Sequence, residues 1–112
     1  MKKLFSIIAF ILLLAFSSCI IQNPKPDECE IITAKIIKIT KGPSYDIVFH
    51  DDGTEYYYIN RGLERGLNLD SLNAKVLNKT VTLHLAKVLG CIISEHISQL
   101  AIGNEIIFTE FD

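Results

Sequence analysis

Basic charge is scarce in this chain: eleven Lys and Arg stand against thirteen Asp and Glu. Residues 1–18 hold Lys2 and Lys3 and no acidic residue, so a chain cut after Ser18 keeps nine basic groups against thirteen acidic ones, a net charge of −4. A phosphate backbone meets net repulsion from such a surface, which argues against general nucleic-acid binding. Histidine is also sparse. His50, His84 and His96 lie far apart, and no Ser, Cys or carboxylate forms a nucleophile motif beside them, so enzymatic activity is not expected. Without clustered His, the few cysteines cannot build the usual four-ligand zinc site, and no metal or cofactor is expected. His50-Asp51-Asp52 would attract a cation only weakly, because a hairpin turn already accounts for both aspartates. Tryptophan is absent altogether, which leaves aromatic contact to Tyr and Phe.

Long apolar runs are absent as well, with one exception at the start. Lys2 and Lys3 precede an apolar stretch from Leu4 to Phe16 that ends in Ser17, Ser18 and Cys19, the layout of a secretory signal peptide over residues 1–18. The stretch is shorter than the ~20 residues a helix needs to cross the hydrocarbon core. Phe16-Ser17-Ser18-Cys19 resembles the lipobox of bacterial lipoprotein precursors, with Phe16 in place of the usual Leu; the alternative is an ordinary signal peptide and an incidental Cys. The resemblance implies that Cys19 becomes the acylated first residue. Each buried methylene then contributes about 0.8 kcal/mol to anchoring, and several chains together hold the protein to the membrane. Ile20 rather than Asp follows Cys19, which by the sorting rule of Gram-negative lipoproteins implies the outer membrane, in either leaflet.

Residues 19–28 read as a lipidated N-terminus and a polar tether made extended by Pro24 and Pro26. Residues 29–112 read as one small domain. Its two cysteines, Cys29 and Cys91, sit in a compartment that permits disulfides, so a bridge is expected, with two buried thiols as the alternative. A loop of that length would gain on the order of 4 kcal/mol from closure.

The domain reads as mainly β. A first strand over 30–41 is rich in Ile, and its apolar phase slips between Ile36 and Ile37, the mark of a bulge. Residues 45–50 and 54–60 form a hairpin about Asp51-Asp52-Gly53. A three-residue turn with Gly53 left-handed places Ile47, Phe49, Tyr57 and Ile59 on the core face, and Asp46, Val48, His50, Tyr56 and Tyr58 outside. A short turn at 62–67 and a helix at 69–77 follow, with Asn68 or Asp70 as N-cap and Asn78 as left-handed C-cap. A strand over 81–89, a loop over 89–96 and a closing hairpin, 97–102 and 105–111, complete the chain.

Strand, strand, strand, helix, strand, strand is the order of the OB-fold, a small Greek-key barrel of five to six strands; an SH3-like barrel is the alternative. Cys29 before the first strand and Cys91 after the fourth fit this order, because those strands run antiparallel. The chain also resembles small Gram-negative lipoproteins with an OB-like domain. The resemblance rests on the lipobox, on Tyr58-Ile59-Asn60-Arg61-Gly62-Leu63-Glu64 and on His96-Ile97-Ser98, and it implies a fold and an address but no activity.

OB barrels bind oligomers across the face of strands two and three. Here that face carries Asp46, His50, Tyr56 and Tyr58, with Arg61 at its end. Tyrosine rings stack on sugars or side chains while their hydroxyls hydrogen-bond, so a non-enzymatic module for an envelope protein or oligosaccharide is expected. Alternating Tyr is equally good strand-forming material. Arg61 or Arg65 could grip a carboxylate, although Asn60 to Arg65 also reads as a structural junction. The alternative function is an inhibitor or accessory subunit of an envelope complex.

Overall fold

The computed structural model describes residues 25–88 and 92–111. The predicted signal peptide, Cys19, most of the predicted tether and Cys91 lie outside the described residues. The end of the predicted tether is not extended: Pro26–Glu28 forms a 3-10 turn whose start is set by Pro26.

Six strands follow: β1 (Cys29–Lys41), β2 (Ile47–Asp51), β3 (Tyr56–Ile59), β4 (Thr80–Val88), β5 (Ile92–Ile102) and β6 (Glu105–Thr109). One α-helix among the described residues, α1 (Leu69–Val76), connects β3 to β4. The sheet order is β3-β2-β1-β4-β5-β6, and a parallel pairing of Tyr58 with His96 joins β3 to β5. Five strands therefore close into a barrel with β6 as an extra strand, the arrangement of a small OB-fold.

Closure depends on β1, whose halves serve different neighbours. Cys29 to Lys35 pair with β4, and Ile36 to Lys41 pair with β2 across a register shift between Ile36 and Lys38. The shift resets the phase: Ile36 and Ile39 face the core, three residues apart, while Ile37 between them stays exposed. A regular strand would alternate by two, so the bulge that the apolar pattern predicts is what lets one strand line both sides of the barrel.

The β2–β3 hairpin has the predicted faces. Ile47 pairs with Ile59 and Phe49 with Tyr57, all buried, while His50–Tyr56 and Val48–Tyr58 form the outer pairs. The turn itself differs from expectation. Asp51 N–H donates to the Glu55 carbonyl at 3.1 Å, so the loop is 52–54, and Gly53 is not left-handed. Asp51 Oδ1 instead accepts the amides of Gly53 and Glu55 at 2.9 and 3.1 Å, an Asx-type turn that needs no left-handed residue.

The helix is capped as its sequence specifies. Asn68 Oδ1 accepts the Ser71 amide at 3.1 Å, and Asn78 is left-handed (φ 63°) with its amide on the Ile36 carbonyl. Leu72 and Val76 point into the barrel, against a core of Ile36, Phe49, Ile59, Leu83, Ile97 and Leu100. The largest departure is in β5, which starts at Ile92 where a loop to His96 is expected. Val88 pairs with Ile92 and Lys87 with Ile93, prolonging the β4–β5 ribbon past the barrel wall. No helix among the described residues is long and apolar enough to cross a membrane.

Candidate functional site

The outer face of β2 and β3 is built by strand parity. With Ile47, Phe49, Tyr57 and Ile59 committed to the core, the intervening residues must face outward. Tyr56 is 50 % exposed, and Tyr58, two residues or about 7 Å along the strand, is half-buried. His50 stands opposite Tyr56, and its Nε2 is 3.3 Å from Thr40 Oγ1 on β1. Tyr58 presents its ring edge-on to His96, with centroids 5.7 Å apart and an interplanar angle of 88°. Four side chains from three strands, Tyr56, His50, Tyr58 and His96, thus form one continuous outer surface.

Two predicted site residues serve other purposes in this structure. Asp46 Oδ1 accepts the Arg61 amide at 2.8 Å, holding Arg61 in a left-handed conformation (φ 53°) at the end of β3. The Arg61 side chain is exposed and reaches Glu64, its Nη1 lying 3.4 Å from Glu64 Oε2. In water such a pair is worth little, so the guanidinium remains accessible to a ligand at small cost. The left-handed residue is Arg61 rather than Gly62, whose role is close approach to β2.

Sequence patterning does not reveal the neighbours of Tyr58. His96 Nε2 lies 3.0 Å from both carboxylate oxygens of Glu110, and Arg65 Nη2 lies 3.7 Å from Glu110 Oε1. Arg65 Nε donates to the Asn60 carbonyl at 3.0 Å. These contacts link the 3-10 turn Gly62–Arg65 to β5 and to the end of the chain. Tyr45 is a further surface residue that the pattern does not mark. It is 53 % exposed in a 3-10 turn, Pro43–Tyr45, where both Ser44 and Tyr45 have positive φ, and Lys41 Nζ sits 5.1 Å from its ring centroid. This β1–β2 loop flanks the face that OB barrels use.

Burial pushes the Tyr58 hydroxyl above the ordinary tyrosine range, helped by the nearby charges of Asp46, Glu95 and Glu110. Tyr57, inside the barrel, is raised for the same first reason, with Asp51 and Glu55 adding to it. Both groups keep their protons in the folded chain at a pH where the unfolded chain loses them. Stability is therefore complete below the unfolded value of about 10 and falls as pH rises through it. Thermal melts followed by circular dichroism should give a constant midpoint from pH 7 to about 9 and a decline above it.

Cys29 is buried at the start of β1, opposite Ala86, and its burial raises the thiol. The Ser98 hydroxyl opposes that rise, although its geometry falls short of a hydrogen bond and Ser98 Oγ has no partner among the described residues. Cys29 carries a free thiol in this structure, and Cys91, the other half of the predicted bridge, lies outside the described residues. Among those residues, no three His, Cys, Asp or Glu side chains gather in a way that would hold a metal. Compared with known proteins, the chain matches no family model, no curated protein and no solved structure.

Proposed function

We propose that the protein is an envelope lipoprotein, anchored in the outer membrane through acyl chains on Cys19, whose barrel is a non-enzymatic binding module. Its ligand is a protein or oligosaccharide bound across Tyr56 and Tyr58, with His50 and His96 beside them and Arg61 at the end of that face. A Cys29–Cys91 bridge belongs to the same proposal, because the compartment is oxidising.

The observation that carries this reading is the half-exposed ring of Tyr56 on the outer face, next to the partly exposed Tyr58, in a strand where Tyr57 alone of the three tyrosines fills the core. Two aromatic platforms about 7 Å apart on a rigid strand lose little conformational entropy on binding. A glycan array and a pull-down from native membranes, each run with the wild-type chain and a Tyr56→Ala, Tyr58→Ala variant, test it. Loss of each stacking contact costs on the order of tenfold in affinity, so the double variant should lose binding outright while keeping its melting temperature. Retention of full affinity by that variant removes the Tyr face from consideration.

A second reading, an accessory or inhibitory subunit, is favoured by β6. Among the described residues this strand pairs only with β5 and exposes Ile106, leaving an edge on which a partner's strand can add. A stoichiometric protein partner that survives the tyrosine substitutions would favour it.

A further inference from the structure

The β4–β5 ribbon ends in an apolar tip that the barrel does not cover. Val88, Ile92 and Ile93 are 45, 52 and 51 % exposed. Val88 and Ile92 are cross-strand partners on one face, and Ile93, opposite Lys87, points to the other. Both faces of the ribbon therefore carry aliphatic side chains in water, where a solvated hairpin end would carry polar ones. Polar groups flank these side chains: Lys87, the cross-strand partner of Ile93, has its Nζ 3.9 Å from Glu30 Oε2, and Glu95 is exposed.

The start of the described chain lies alongside this tip. β1 runs antiparallel to β4 from the pair Cys29–Ala86, and the turn Pro26–Glu28 packs against β4, so the chain arrives next to Lys87 and Val88. Lys25 is six residues after Cys19. Six residues span at most about 20 Å when fully extended, and less with Pro24 and Pro26 among them. An acylated Cys19 therefore confines this end of the barrel to the membrane surface.

We propose that the tip formed by Val88, Ile92 and Ile93 docks into the outer boundary of the same bilayer that holds the Cys19 acyl chains, fixing the orientation of the barrel. The inference rests on the lipoprotein reading above. Backbone geometry sets the depth. Residues 87–88 and 92–93 pair with each other, but β1 pairing stops at Ala86 and β3 reaches β5 only at His96, so the outward amides of the tip still need water. Such groups are tolerated at the headgroup boundary and not in the hydrocarbon core. With the tether beside the tip, the second contact costs little further freedom, because the first already holds the chain close.

The absence of tryptophan makes the test direct. Full-length lipidated protein carrying Ile93→Trp, Ile92→Trp or, as control on the β5–β6 hairpin, Ile106→Trp is reconstituted into phosphatidylcholine vesicles with and without brominated acyl chains. The tip probes should emit at shorter wavelength than in detergent-free buffer and be quenched at least about twofold more than the control. Equal quenching at all three positions in protein that floats with the vesicles overturns the inference and leaves the lipoprotein reading standing. A blue shift that depends on protein concentration and not on bromine also overturns it, in favour of self-association. Protein that neither floats nor carries acyl mass overturns both.

Discussion

Replacing Phe49 with alanine should remove about 3–5 kcal/mol of unfolding free energy, enough to leave a domain of this size largely unfolded at 37 °C. Phe49 is completely buried and occupies the middle strand of the β1–β2–β3 half of the barrel, paired with Ile39 on one side and Tyr57 on the other. Its cross-strand neighbours Ile39 and Tyr57 are held in the ladders on both sides, so the site can relax only in part. The cavity term therefore adds to the lost transfer free energy. Urea denaturation of Phe49→Ala beside Val48→Ala makes the comparison, since Val48 lies on the outer face of the same strand. The outer substitution should cost below about 1 kcal/mol. A similar loss at both positions would mean that the two faces of β2 are not core and solvent.

Those faces are legible in the sequence because strand parity is a strict rule. Once Ile47 and Phe49 share a face with Tyr57 and Ile59, the outward position of Tyr56 and Tyr58 follows, and a one-residue slip would mix polar and apolar groups on both sides. The bulge in β1 and the caps of α1 are legible for similar reasons, each being a local pattern with one steric or hydrogen-bonding solution. Less is visible where long-range pairing decides. His96 meets Tyr58 only because β5 pairs in parallel with β3, whereas its contact with Glu110, fourteen positions on, follows from the β5–β6 register, in which Gln99 pairs with Thr109 and the Glu110 amide donates to the Ser98 carbonyl at 2.8 Å. The first half of β5 is hidden for a different reason: Ile92 and Ile93 are both exposed, so the alternation that marks a half-buried strand is missing. Parity also places Asp46 on the outer face, yet Asp46 precedes β2, closing the 3-10 turn Pro43–Tyr45, and its carboxylate is engaged by the Arg61 amide. Parity gives direction but not occupancy.

The second large effect is expected at Gly62, where the sequence suggests backbone freedom and the structure points to space. Gly62 does not have positive φ; Arg61 before it and Gly66 after it do. A Cβ on Gly62 would lie 2.7 Å from Ile47 Cδ1, 2.9 Å from Ile47 Cγ1 and 3.1 Å from Ile59 Cγ2. Both isoleucines are fully buried and are cross-strand partners, so neither can swing aside without disturbing the β2–β3 ladder. Gly62→Val should therefore cost about 2–3 kcal/mol by overpacking, and Gly62→Ala roughly half as much. Gly66 provides the contrast. Its φ is 85° and nothing lies within 4 Å of the point a Cβ would occupy, so a side chain there meets conformational strain alone. Asparagine, which tolerates the left-handed region, should be milder than alanine at Gly66, whereas at Gly62 the cost should rise with side-chain volume whatever its chemistry. Denaturant midpoints for the two series separate the mechanisms. Because Gly62 is what brings the Arg61 turn down onto β2, a loss of ligand affinity in Gly62→Ala with the tyrosines intact would locate the end of the binding face at that turn.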